Sequence, residues 1–194
     1  LGPELRGQRE DAQWQRACSG LFVVGSLLSP LFIGMLVGSW VFAAGTLSLP
    51  SILTGVGLIA LSVTNGAAFL AAKTSGELRA AMRSYGIGAT LAYLGGVVVL
   101  LAVVVATDAG GAAETILSIP GVAVVGLSVA VALGGIAAAR TENDRLWFAS
   151  TLALSGLLVA LVALLLYPTV YPPGGLTIDD AVVSPLALNL TTVL

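Results

Sequence analysis

The segment FLAAKTSGELRAAMR, Phe69 to Arg83, separates two kinds of sequence. From Ala17 to Ala72 no residue is charged; then Lys73, Glu77, Arg79 and Arg83 follow in quick succession. A bilayer crossing needs about 20 apolar residues, so the uncharged run holds two. The segment therefore reads as a membrane helix emerging into water, with Lys73 snorkelling, its stem in the interface and its ammonium in solvent. Lys73 and Glu77 stand four residues apart. They could pair, in the less favourable order, for a few tenths of a kcal/mol.

Composition points the same way. Hydrophobic residues make up 57% of the chain and charged residues 9%, and mean hydropathy is +1.02. A soluble domain carries roughly 25% charged residues; so few could not cover the surface of a soluble fold this size. A net charge of -2 and the lack of a basic, aromatic-interleaved patch argue against nucleic acid as a partner. Cys18 is the single cysteine, which excludes an intrachain disulfide and reads as a small apolar residue near a helix start. There is no histidine, and the methionines are Met35 and Met82. Haems and transition metals take imidazole or thiolate ligands, so this set predicts no cofactor bound by the chain itself.

Charges and turn residues divide the remainder. Gly45 and Pro50 punctuate AGTLSLPS, Ala44 to Ser51, and give a first helix over Ala17 to Phe42 and a second over Ser51 to Ala72. A third is predicted over Tyr85 to Ala106. A fourth runs over Ile119 to Ala139, with Pro120 in its first turn. A fifth runs from Leu146 to Tyr167, and a truncated sixth begins near Ser184. The expected fold is all-α: a polytopic transmembrane helix bundle of five full helices plus a truncated sixth. Residues 1–16 are a cytoplasmic segment and 17–194 the transmembrane domain. The chain begins with Leu1, and its last apolar run is too short to cross a bilayer. It is therefore read as an internal piece of a longer protein.

With alternating helices, all eight basic residues fall on one side: Arg6, Arg9 and Arg16; Lys73, Arg79 and Arg83; Arg140 and Arg145. The positive-inside rule makes that side cytoplasmic. Inside the predicted spans there is no Asp, Glu, Lys, Arg or His, against the habit of ion-coupled transporters. Gly34 and Gly38 form a GxxxG, a signal for close helix packing. Pro30 is expected to kink the first helix. Asn65 reads as an interhelical hydrogen bond and Tyr93 as core.

Three blocks together carry a resemblance: LRGQREDAQWQRACSGLFVVGSLLSPLFIGMLVG near the start, TNGAAFLAAKTSGELRAAMR in the middle, and LYPTVYPPGGLTIDDAVVSPLALNL at the end. In order and spacing they resemble subunit II of the cytochrome bd-type quinol oxidases, over nearly the whole chain. The middle block is the most specific, with Lys73, Thr74, Gly76, Glu77, Leu78 and Arg79 as its signature. In the third, Val182 and Val183 replace the family's small residues.

The resemblance implies the second half of a non-haem structural subunit in a prokaryotic plasma membrane. Its partners would be a haem-bearing subunit I, membrane lipid and the quinone pool. It also implies that haems b and d and the quinol site lie on subunit I, and that the complex oxidises quinol and reduces dioxygen. No catalytic residue is carried over. The signature has two readings: a solvated, topology-setting loop, or an assembly element. In the latter, Gly76 allows a close backbone approach and Glu77 accepts from Lys73, Arg79 or neighbouring loops. The alternative function is part of a small-molecule membrane transporter, supported only by the polytopic architecture.

Overall fold

The computed structural model describes residues 11–108, 112–167, 169–171 and 175–177. Five helices in it are long and apolar enough to cross a membrane. They are α1 (Ala12–Val41), α2 (Leu49–Lys73), α3 (Gly76–Thr107), α5 (Ile119–Arg140) and α6 (Asp144–Leu166). A short α4 (Ala112–Leu117) lies within the loop before α5. After α6, strands β1 (Thr169–Tyr171) and β2 (Leu176–Thr177) pair antiparallel, with Thr169 opposite Thr177. The all-α bundle with five full spans is as the sequence predicts. The truncated sixth helix from Ser184 lies outside the described residues.

Helix ends are set by local chemistry. Asp11 caps α1 by accepting from the Gln13 N–H at 3.0 Å, so the helix starts before Ala17. Ser48 and Ser118 cap α2 and α5, each followed by a proline in the first turn. The α1 and α5 C-termini both close by the Schellman pattern. Ala44 N–H reaches Ser39 O and Ala43 N–H reaches Trp40 O; Asn143 N–H reaches Ala138 O and Glu142 N–H reaches Ala139 O. This places Ala43 (φ 46) and Glu142 (φ 62) in the left-handed region where glycine is the usual occupant.

In lipid no hydrophobic effect drives helices together, so small residues decide which backbones meet. A Cβ on Gly34 would lie 2.6 Å from the Gly55 Cα, and one on Gly38 would lie 2.8 Å from the Ser51 Cα. The GxxxG of α1 thus seats its second half against the start of α2, antiparallel. Pro30 stays within an unbroken helical assignment, and the stretch 20–29 before it is exposed. The α2–α3 and α5–α6 pairs form hairpins, and α6 packs on α2. Mid-span, the Asn65 amide donates to Ser155 Oγ at 3.0 Å across α2 and α6, as predicted. Tyr93 is core beside Leu61, Ala132 and Leu154.

Candidate functional site

The charged block is not a loop. α2 ends at Lys73, and Thr74 caps it with both its N–H and its hydroxyl directed to Leu70 O, at 2.9 and 2.8 Å. α3 starts at Gly76, nine positions before the predicted Tyr85. The break at Thr74 and Ser75 removes the helical geometry a Lys73–Glu77 pair needs. Among the described residues neither forms an ion pair. Each is instead placed well for a helix dipole: Lys73 in the last turn of α2, Glu77 in the first turn of α3. Glu77 and Leu78 are exposed.

Gly76 carries a backbone requirement that the sequence does not show. Within this chain no atom lies within 4 Å of where its Cβ would be, but its φ is +67. An L-residue there costs roughly 1–2 kcal/mol, so within this chain the backbone conformation by itself favours glycine.

Arg79 and Arg83, one turn apart on α3, both reach Asp144, the first residue of α6. Arg83 Nε donates to Asp144 Oδ1 at 2.7 Å and its Nη2 to Oδ2 at 2.9 Å, a bidentate grip. Arg79 Nε donates to Oδ2 at 2.6 Å, and its Nη2 pairs with the same oxygen. Arg83 also holds the α5–α6 turn, through Glu142 Oε1 at 2.9 Å and the Glu142 carbonyl at 3.3 Å. The Asp144 side chain is only 3% exposed, whereas that of Glu142 is 73% exposed. A carboxylate so buried stays charged because two guanidinium groups saturate it. Its position at a helix N-terminus adds favourable dipole energy.

Directly beneath, Trp147 is buried among Ala67, Ala68, Ala71, Ala138 and Ala139. Gly86 on α3 makes room for the indole: any Cβ there would collide with the ring. Phe148 packs tilted against Phe69, ring centroids 5.7 Å apart. The charged cluster and the tryptophan together fasten the α2–α3 hairpin to the α5–α6 hairpin at the basic end of the bundle.

This arrangement offers hydrogen-bonding and charge, but no nucleophile or general base positioned beside a cleft. The donor set also does not fit a haem. Met35 packs against Gly55 on α2, Met82 against the Trp147 cluster, and Cys18 is buried in α1. No cluster of three metal-ligating side chains occurs among the described residues.

A family model for cytochrome bd terminal oxidase subunit II matches residues 1–194. The chain belongs to that family. No curated protein matches it. As a member of the bd-type subunit II family with five candidate spans among the described residues, it is a multi-pass membrane protein of a respiratory oxidase complex. Of the signature residues, Arg79 enters the cluster, Thr74 and Gly76 shape the break between α2 and α3, and Lys73, Glu77 and Leu78 face outward. Arg83, Glu142, Asp144, Gly86 and Trp147 are the members that sequence reasoning did not assign to a site. Asp144 directly follows the helix cap Asn143, but its arginines lie 65 and 61 positions away, so no local signal pairs them. Nothing local marks Gly86.

Proposed function

We propose that the chain is the non-haem structural subunit of a cytochrome bd-type quinol oxidase. In this reading it supports a haem-bearing partner that oxidises quinol from the membrane pool and reduces dioxygen. The observation that carries the reading is the family match over the whole chain. The ligand inventory supports it: a chain without histidine, whose methionines are separately engaged in packing, leaves haem ligation to its partner.

The basic end faces the cytoplasm of a prokaryotic cell, on the charge count alone. The signature from Lys73 to Arg79 acts in assembly. The break at Thr74–Ser75 and the left-handed Gly76 set the direction of α3, which lets Arg79 and Arg83 meet Asp144. The exposed Glu77 and Leu78 are then presented to a neighbouring subunit.

Purification of the complex from its native membrane tests this. Haem absorbance and quinol-dependent oxygen uptake should co-purify with the chain. After dissociation, haem should remain on the partner. Stoichiometric haem on the isolated chain, or a complex without haem, contradicts the reading.

A further inference from the structure

The acids of the α5–α6 turn are both taken by α3: Asp144 by Arg79 and Arg83, Glu142 by Arg83. The turn's own arginines are left over. Arg140 closes α5 and Arg145 is the second residue of α6. Both are exposed, and neither has an ion-pair or hydrogen-bond partner among the described residues. They flank one short turn where two apolar spans end. Leu146, beside Arg145, is 54% exposed, and about two turns into the spans Leu133 and Leu152 are exposed as well. A cationic rim above lipid-facing leucines matches one molecule in both parts, headgroup and chains.

We propose that Arg140 and Arg145 bind the phosphate of an anionic phospholipid headgroup in the leaflet bordering the basic end. Guanidinium groups suit phosphate because their planar N–H pairs match its oxygens. The exposed leucines would carry the acyl chains. A soluble phosphate meets only the cationic half of this surface, which is why the lipid is the favoured source.

The test uses the complex purified in detergent and stripped of loosely held lipid. It is titrated with dioleoyl-phosphatidylglycerol or dioleoyl-phosphatidylcholine, and bound lipid is counted by native mass spectrometry. The unaltered protein should favour the anionic lipid roughly thirtyfold, the scale set by two basic side chains at a membrane surface. Arg140→Gln with Arg145→Gln should remove the preference. Arg140→Lys with Arg145→Lys should keep part of it, and Arg16→Gln, at the same end, should keep all of it. Equal retention of both lipids by the unaltered protein overturns the proposal, as does a preference that survives the double glutamine variant. Displacement of the lipid by inorganic phosphate at equal concentration would mark a soluble-anion site and also overturns it.

Discussion

Arg83 holds Asp144 with two hydrogen bonds, 2.7 and 2.9 Å, across 61 positions of sequence. The same guanidinium reaches Glu142, so one arginine serves two acids of very different burial. Removing one member of a buried pair leaves an uncompensated charge and costs about 3–5 kcal/mol. An exposed pair is worth about 0–1 kcal/mol. Asp144→Ala should therefore destabilise the purified protein severely. Glu142→Gly should lie within about 1 kcal/mol of neutral, because the left-handed turn it relieves offsets the lost ion pair. Thermal unfolding of both variants in the same detergent checks the contrast; equal losses would contradict it.

Gly76 gives a second prediction. Gly76→Ala should cost roughly 1–2 kcal/mol through its φ of +67. Gly76→Asn should cost less, since asparagine visits that region more readily. If a close approach within the chain were the reason for the glycine, asparagine would be the worse of the two in the same unfolding assay.

Trp147 and Gly86 form a matched pair in the α3–α6 contact. Trp147→Ala should cost about 3–5 kcal/mol, the scale of emptying a tryptophan-sized core site. Gly86→Val should also destabilise by overfilling. The losses should be less than additive when combined, because the smaller residue at 147 makes room for the larger one at 86. Full additivity in a double-mutant cycle would show that the two do not share this site.

Topology is tested by labelling. In a Cys18→Ser background, Glu142→Cys should react with an impermeant thiol reagent only after the cells are permeabilised. Glu114→Cys, beyond the opposite ends of the spans, should react in intact cells. The reverse pattern would invert the orientation.

The spans were legible because charge alone marks them: Ala17 to Ala72 has none, and Asn65 stands out within it as the polar side chain that needs a partner. The start of α3 was missed because Glu77, Arg79 and Arg83 read as a loop. In the fold they lie on a helix that continues beyond the apolar span, and its arginines are satisfied by Asp144. That partner could not be read locally, since Arg79 and Asp144 are 65 positions apart. Gly76 was recognised as special, but its left-handed backbone was not, because a sequence shows a missing side chain and not a positive φ. Gly86 carries no local sign, since the ring that requires it comes from a distant helix.

The contact between Arg83 and Asp144 fastens two helical hairpins, and the proposed assembly of the subunit depends on it. Charge exchange tests it most directly, by measuring the yield of haem-containing oxidase per unit of membrane. Arg83→Asp and Asp144→Arg should each lower that yield strongly. The double exchange should restore only a small part of it, because it leaves Arg79 facing a second cation and Glu142 facing a second anion, with turnover per assembled complex near normal throughout. Full assembly in both single variants, or normal assembly with turnover lost, would contradict the account.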